Sequence, residues 1–253
     1  NGSETDAGAG EIELLGNADY VGGILGWDQN RDSNKDCVIT DCINYANIVA
    51  KAENTNNYLG GIVGIKRNLN AYSIANLEIS YCENHGSILN GNDYVGGIAG
   101  AIPQTGNVRY VVANCVNYGN ITGAPGDNQN GTNGGIFGLL GSPTGGVINC
   151  INVGNVSNIF ASNGGLCGRF KAGYFVNNYH LGHVTAGTSP KGDLVGYVDG
   201  SGFILDVYSA YKDCTDWYGG VYFTNNIINN HTGWQSGSPY LGGLTLSQAL
   251  QRT

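Results

Sequence analysis

The residues best suited to bind a ligand fall in three stretches of the chain, each directly after a glycine-rich segment. These stretches hold five of the eleven lysine and arginine residues, together with several aromatic side chains. The candidate ligand-binding residues are Trp27, Arg31, Lys66, Arg67, Tyr72, Arg109 and Tyr110. Cations and aromatic rings on one surface suit stacking on a sugar ring or contact with a polar polymer. A solvated face of charged, exposed loops is the simpler interpretation of the same residues.

The first of these stretches also carries an alternating polar pattern. Asp28, Asn30 and Asp32 stand at every second position, as oxygen ligands do in Ca²⁺-binding loops. An EF-type loop needs glycine at its sixth position and an acid at its twelfth, and neither register of this stretch supplies them. The three residues are a candidate metal site, an acidic surface loop is the simpler interpretation, and we expect no cofactor.

Signatures of common catalytic sites are absent from the sequence. It contains no HExxH, GxSxG or P-loop motif. The nineteen acidic residues are spread thinly, without the recurring carboxylate pair that glycoside hydrolysis requires. We therefore expect a protein that is not an enzyme, and a polysaccharide-active enzyme that uses the same loops is the alternative.

Composition excludes several classes of protein. Of the 253 residues 41% are apolar and 12% charged, which excludes disorder caused by low hydrophobicity and high charge. The net charge of −8 argues against a nucleic-acid partner. No apolar run approaches the length of a membrane span. The seven cysteines are an odd number, so at least one thiol is free or paired between chains.

Two short segments alternate along the chain. The first reads YVGGILG in its clearest form, and its copies cover residues 20–26, 58–64, 94–100, 134–138, 164–168 and 192–196. The second reads CVNYGNI, and its copies cover residues 42–48, 82–88, 115–121 and 150–156, with degenerate copies at 178–184 and 207–209. Both segments are short and rich in glycine and β-branched residues, which favours strands bounded by turns.

The repeat length indicates a solenoid. The first glycines of successive copies, at positions 22, 60, 96, 134, 164 and 192, are 28 to 38 residues apart. Units of this size cannot bury an apolar side alone, but stacked copies can. We predict an all-β, right-handed parallel β-helix of about six rungs, with like strands about 4.8 Å apart. A β-propeller is the alternative, although its blades need about 40 residues and four strands each.

Stacking the copies places equivalent residues in rows. The row predicted to form the core comprises Ile24, Ile62, Ile98, Ile136, Leu166 and Leu194. A second row contains Cys42, Cys82, Cys115 and Cys150, interpreted as buried thiols, with disulfides between adjacent rungs as the alternative. The third row contains Asn44, Asn84, Asn117 and Asn152, whose amides can hydrogen-bond from rung to rung. The repeated glycines are expected to supply turns with positive φ.

Surplus residues collect at one corner of the first three rungs. The distance from the glycine-rich segment to the next cysteine position is longest there, so the loops after residues 26, 64 and 100 should lie side by side. Solenoids commonly carry insertions on one face, which is often the binding face. The candidate ligand-binding residues all belong to these loops.

The alternating [YN]-x-G-G-[IL]-x-G and N-C-x-N-x-G-x-[IV] segments resemble the GLUG-motif repeats of bacterial surface proteins. Such repeats are common in gut anaerobes of the Bacteroides type and occur beside the protease part of streptococcal IgA-cleaving metalloproteases. The resemblance covers roughly residues 8–210 and weakens in the aromatic-rich C-terminal stretch. It implies a secreted or cell-surface bacterial protein with a role in adhesion, and it implies no catalytic residues.

Taken together, the sequence predicts a non-catalytic interaction module that binds a glycan or a host or microbial surface protein. Residues 1–210 form the solenoid and residues 211–253 an aromatic-rich capping segment of the same domain. Further domains of a longer chain are expected as partners, and a passive stalk within such a chain is a second alternative.

Overall fold

The structure is a computed structural model of the 253-residue chain. It describes residues 10–14, 19–30, 36–50, 58–68, 74–103, 107–124, 131–158, 162–186, 191–205, 207–211, 213–214 and 227–229. Every regular element in these residues is a β-strand. The described part of the chain contains no helix with the length and apolar character needed to cross a membrane.

The strands are short in the first half of the chain. In chain order they are β1 (Glu11–Leu14), β2 (Tyr20–Gly22), β3 (Leu25–Asn30), β4 (Asp36–Thr40), β5 (Ile43–Asn44), β6 (Asn47–Ala50), β7 (Tyr58–Gly60), β8 (Val63–Asn68), β9 (Ile74–Ser80), β10 (Glu83–Asn84), β11 (Ile88–Gly91), β12 (Tyr94–Gly96), β13 (Ala99–Ile102), β14 (Asn107–Ala113) and β15 (Val116–Asn117).

The second half includes two longer strands, β23 and β27. The remaining strands are β16 (Ile121–Gly123), β17 (Thr132–Gly134), β18 (Phe137–Leu140), β19 (Thr144–Ile148), β20 (Ile151–Asn152), β21 (Val156–Asn158), β22 (Ser162–Gly164), β23 (Cys167–Val176), β24 (Tyr179–His180), β25 (Val184–Ala186), β26 (Lys191–Gly192), β27 (Val195–Leu205), β28 (Tyr208–Ser209) and β29 (Ile227–Asn229).

These strands form four sheets through which the chain passes repeatedly, and each pass is called a coil below. Sheet 1 has the order β1-β6-β11-β16-β21-β25, and sheet 2 the order β2-β7-β12-β17-β22-β26. Sheet 3 runs β3-β8-β13-β18-β23-β19-β14-β9-β4, with β27 beside β23 and β29 beside β27. Sheet 4 has the order β5-β10-β15-β20-β24-β28.

Every strand pair in the described residues is parallel. Paired strands belong to successive coils, so the sheets stack as in a β-solenoid, and the prediction of an all-β parallel architecture is confirmed. The propeller alternative is wrong, because propeller blades are built from antiparallel strands.

The predicted core row lies inside the stack except at its first member. Ile62, Ile98, Ile136, Leu166 and Leu194 are fully buried in one apolar cluster. Ile24 is 40% exposed, so its assignment to the core is wrong. It belongs to the first coil, which has a described neighbouring coil on one side only.

The cysteine row is a column of thiols. Cys82, Cys115 and Cys150 are buried, Cys42 is half-buried, and all seven cysteines are free. In each of the three buried residues Sγ donates to a carbonyl of its own coil and to one of the preceding coil, as in Cys82 to Ser80 (3.3 Å) and to Ile39 (3.6 Å). The neighbouring thiol Cys115, and then burial, raise the pKa of Cys82, so these thiols serve as small core residues.

The asparagine row is a continuous ladder of buried amides. Asn44 Nδ2 donates to Asn84 Oδ1 at 2.8 Å, and the next two steps, through Asn117 to Asn152, are each 2.7 Å. Each Nδ2 also donates to the carbonyl two residues later in its own turn. All four side chains are fully buried, and the predicted rung-to-rung hydrogen bonding is confirmed.

The repeated glycines make room for this ladder. A Cβ on Gly61 would overlap the Asn84 side chain and the carbonyl of Gly97, and the same holds one coil further at Gly97. Among the described glycines only Gly173 has positive φ, so the expectation that the repeated glycines supply left-handed turns is wrong. Positive φ is found instead at residues that directly precede the cysteine row or its degenerate copy, namely Asp41, Tyr81, Asn114, Asn149 and Asn177, and at Asn90.

The ladder changes composition in the last coils. His180 occupies the asparagine position below Asn152, and its Nδ1 lies 3.0 Å from Asn152 Nδ2. Ser209 follows it in register. In the coil where Ser209 takes the asparagine position, Asp193 takes the position of the second glycine of the glycine-rich segment. Its carboxylate accepts hydrogen bonds from the backbone N–H groups of residues 213 and 214.

We predict that the amide ladder contributes strongly to stability. Asn117→Ala should lower the free energy of unfolding by about 2–4 kcal/mol, because it removes one hydrogen bond from the buried amide on each of the two neighbouring coils. The control is Asn155→Ala, since the exposed Asn155 accepts a single backbone hydrogen bond at its carbonyl oxygen. Equal midpoints for the two variants in urea denaturation would contradict the prediction.

His180 should make the fold sensitive to acid. Burial lowers the pKa of His180 to about 3 from its usual 6.5. The folded state therefore disfavours the charged imidazole, so stability is complete above pH 6.5 and falls as the pH drops toward 3. His180→Asn restores the ladder residue and removes this loss, by about 1.4 kcal/mol per pH unit below 6.5. Urea denaturation of both proteins at pH 7.5 and pH 5 checks it, and a stability difference that does not change with pH would refute it.

Candidate functional site

Sheet 3 divides into two arms in the early coils. One arm contains β3, β8, β13 and β18, the other contains β4, β9, β14 and β19, and β23 and β27 run through both. The surplus residues of the repeats therefore fall between the arms, as the spacing predicts. The loop tips at residues 31–35, 69–73 and 104–106 lie outside the described residues.

A groove of about 570 Å³ lies on the second arm, within the range of ligand-binding clefts. Strand alternation presents every second residue of this arm to the outside. The described residues that line the groove are Asp36, Cys37, Val38, Asn76, Leu77, Glu78, Arg109, Tyr110, Val111, Pro143, Thr144, Gly145 and Tyr174. It combines polar side chains with an exposed aromatic ring and is the strongest candidate for a functional site.

Two parallel rows of outward-facing residues cross the groove in register. The polar row contains Asp36, Asn76, Arg109 and Thr144. The mainly apolar row contains Val38, Glu78, Val111 and Tyr174, with the buried Gly146 in register between the last two. Each row runs along the solenoid axis, because its members come from successive coils.

The charged groups of the groove differ in whether they are already paired. The Asp36 carboxylate accepts a hydrogen bond from Asn76 Nδ2 at 2.5 Å, and Glu78 accepts one from the Ser80 hydroxyl at 3.0 Å. Arg109 is exposed, and no described residue forms a hydrogen bond or ion pair with its guanidinium. The donors of Arg109 are therefore available to a ligand.

Tyr110, the neighbour of Arg109, serves the core instead. It is 1% exposed, and its ring lies against Gly145, where an added Cβ would approach ring carbons at 2.5 and 2.7 Å. Its hydroxyl reaches Gly173, which adopts a φ of 100°. The prediction of Tyr110 as an exposed ligand-binding residue is wrong, because strand alternation turns it inward.

Lys66 is likewise internal. Its side chain is fully buried, and Nζ forms an ion pair and hydrogen bond with Asp28. Ile65 pairs in register with Ala101, so Lys66 aligns with the next residue of the following coil, Ile102, which is buried. Lys66 therefore belongs to a row of interior residues. Lys66 is therefore not an exposed anchor, and the Asp28 carboxylate is held by an ammonium group rather than open to Ca²⁺. Burial and the Asp28 charge raise the pKa of the adjacent Cys37 to about 11.

The other candidate residues lie on the first arm or outside the described residues. Trp27 is 39% exposed and packs against Tyr20 with ring centroids 5.0 Å apart, while Arg67 is half-buried and pairs in register with Gln29. Neither Trp27 nor Arg67 lines the groove that contains Arg109. Arg31, Tyr72 and Asp32 are not described, and of Asn30 the structure describes only the backbone.

The sequence analysis did not predict that the groove lies on the second arm of sheet 3. Glu78 and Tyr174 both line the groove; Glu78 comes from a strand that follows an insertion, and Tyr174 comes from the continuous strand β23, whose coil has no insertion. The alternation of apolar and polar residues before each positive-φ turn was the available signal.

A smaller cavity of about 350 Å³ lies at the last coil and is lined by His183, Lys191 and Asp213, among others. Asp213 accepts the backbone N–H of Val184 at 3.0 Å and lies 3.1 Å from His183 Nδ1. It therefore continues an outer ladder that runs from Asn120 through Asn155 to residue 183. These groups close the stack and explain the histidine without a ligand.

Comparison of the chain with protein-family models gives no match. Neither a curated protein nor a solved structure matches it.

The ion pair between Lys66 and Asp28 yields a prediction about stability. Lys66→Met should lower the free energy of unfolding by about 3–5 kcal/mol, because it leaves a carboxylate without its cation in the interior. Adding Asp28→Leu to this variant should recover most of the loss, since the pair is then replaced by apolar groups. Thermal and urea denaturation measure both. A double variant no more stable than the single one would show that the pair is not the source of the effect.

Proposed function

We propose that this protein is a non-catalytic, adhesin-like interaction module of a secreted or cell-surface protein. It binds a glycan or a surface protein through the corner of the solenoid where sheet 3 divides. Further domains of a longer chain are the natural partners of such a module. The segments support this proposal through their resemblance to the GLUG-motif repeats of bacterial surface proteins. That resemblance implies no catalytic residues.

The observation that carries the proposal is the groove that contains both the unpaired Arg109 and the exposed Tyr174. Arginine and tyrosine are the residue types that most often dominate binding energy at interfaces. Tyr174 is 55% exposed, and Val38 and Val111 are 58% and 47% exposed on the same face. An aromatic ring, apolar patches and an unpaired cation in one groove provide both stacking and hydrogen bonding for a ligand.

An enzyme acting on polysaccharides is the alternative. It would use the two carboxylates of the groove, Asp36 and Glu78. Both side chains are exposed, whereas a carboxyl that acts as a general acid near neutral pH is kept protonated by an apolar, buried site. Their environment favours ligand binding over acid–base catalysis. A passive stalk is the other alternative, and it would have no ligand in the groove.

The architecture proposed for the whole module is a right-handed β-helix of about six rungs. Right-handedness is supported by the general preference of parallel strand crossovers, and the six strands of sheets 1, 2 and 4 support the rung count. The aromatic-rich segment 211–253 is proposed to cap the last rung, which would protect its exposed strand edge. Most of that segment lies outside the described residues.

The test is a glycan array followed by calorimetry on any glycan that binds. Arg109→Ala and Tyr174→Ala should each weaken binding by about 1–3 kcal/mol with little change in melting temperature. Arg169→Ala is the matched control, because Arg169 is another outward guanidinium, stacked over Tyr197 on the first arm.

Release of product from a bound glycan would favour the enzyme. Failure of every array glycan and surface-protein preparation to bind would favour the stalk. Equal weakening by the control variant would move the site away from the groove.

A further inference from the structure

The first coil ends the solenoid on an exposed section of the core. β2 and β3 are the terminal strands of sheets 2 and 3, so each has a described neighbouring strand on one side only. β2, β3 and the turn between them are called the N-terminal edge below. Nine large apolar or aromatic side chains are exposed in the described residues, and the first coil alone holds four of them, namely Ile24, Trp27, Val38 and Ile43.

The exposure of the N-terminal edge follows from its position in the stack. Ile24 is 40% exposed, and its neighbours Val21 and Leu25 are partly exposed. The next coil repeats the same glycine-rich segment with apolar residues at the same three positions. There they are fully buried, and they are Leu59, Ile62 and Val63. The N-terminal edge therefore lacks the coil that buries these positions elsewhere in the described part of the stack.

The glycines show that the place of such a coil is open. A Cβ on Gly64, Gly100 or Gly138 would meet the carbonyl oxygen of the equivalent glycine of the preceding coil, at 2.4, 2.5 and 2.6 Å. A Cβ on Gly26 would meet atoms of Tyr20 and Val21, in its own coil. No described residue of another coil thus occupies the space beside Gly26.

An almost identical segment binds a parallel strand inside the fold. Residues 20–26 read YVGGILG and residues 94–100 read YVGGIAG, so they differ only at Leu25, whose equivalent is Ala99. On the side that faces the preceding coil, residues 94–100 pair in register with β7 and β8. The N-terminal edge offers an equivalent set of backbone groups, to which an extended segment can add as a further strand.

Charge distinguishes between the occupants that could bind there. Residues 1–50 hold nine of the nineteen acidic and two of the eleven basic residues, so they carry −7 of the net charge of −8. Glu11, Asp19 and Asp41 are exposed in this coil. A second copy would bring the same acids against them, which like-charge repulsion disfavours. Residues 1–9 contain two acids and no apolar side chain larger than alanine, so they match neither the charge nor the apolar surface.

We propose that the N-terminal edge is a second interaction surface, which binds an extended basic segment of a partner protein as an added parallel strand. Apolar residues of the segment cover Ile24 and its neighbours, and its lysine or arginine residues face the acids of the first coil. No residue of β2 or β3 lines the groove on the second arm. This surface therefore does not depend on ligand binding in the groove.

The probe is a labelled synthetic peptide, YLGGIVGIKRN, which copies residues 58–68 and ends in a lysine–arginine pair followed by asparagine. Fluorescence anisotropy measures its binding to the intact protein. We expect saturable binding that weakens at least tenfold when the lysine and arginine are both replaced by glutamate. Hydrogen exchange should show added protection of the amides of β2 and β3 when the peptide is bound.

Variants of the protein locate the surface. Ile24→Asn should weaken peptide binding at least tenfold, and Ile24→Ala is the milder variant if asparagine impairs folding. Ile148→Asn is the matched control, because Ile148 is 37% exposed on a central coil, and it should leave binding unchanged. Arg109→Ala should also leave it unchanged, because Arg109 lies in the groove.

Absence of binding, or equal binding of the basic and acidic peptides, would overturn the proposal. So would unchanged hydrogen exchange in β2 and β3, or an equal loss of binding in Arg109→Ala, which would move the peptide to the groove. A dimer in sedimentation that Ile24→Asn dissociates would overturn it in favour of a second copy. The glycan array tests the groove separately, so either surface can fail without the other.

Discussion

The buried amide ladder from Asn44 to Asn152 is the interaction on which the rest of the structure depends. Each amide donates to the next amide and to a carbonyl of its own turn, and a buried amide with unmade bonds is costly. One coil therefore cannot slip against the next without breaking the ladder. The glycines that face it are fixed for the same reason, because a methyl group on Gly61 or Gly97 would overlap it.

The length of the repeat can vary at the corner of the solenoid that the amide ladder does not reach. The chain between the arms of sheet 3 can lengthen without disturbing sheets 2 and 4, so β3 and β4 are separate strands whereas β23 is continuous. Separation exposes the outer face of the second arm and creates the groove. It also alters the interior, where Lys66 and Asp28 replace the apolar residues of later coils. The groove and the polar interior therefore share one structural cause.

The last coils show what happens where the ladder ends. His180 keeps one hydrogen bond to Asn152 but carries a buried ring nitrogen without a partner. One coil later the amide is gone and Asp193 binds the backbone of residues 213 and 214. Because burial lowers the pKa of His180, we expect the C-terminal end of the stack to be more sensitive to acid than its centre.

The sequence by itself determined the repeat, the parallel stacking, the amide ladder and the place of the insertions, because these follow from residue types at a fixed period. Tertiary structure decided which residues at the corner that carries the insertions are exposed. Lys66 and Tyr110 face the interior while Arg109 faces the groove, because neighbouring residues of a strand point to opposite faces of the sheet. It also placed Tyr174, which comes from a coil that has no insertion, in the same groove as Arg109. Proximity across coils depends on register, and register is set by contacts about 30 to 40 residues apart that no local pattern displays.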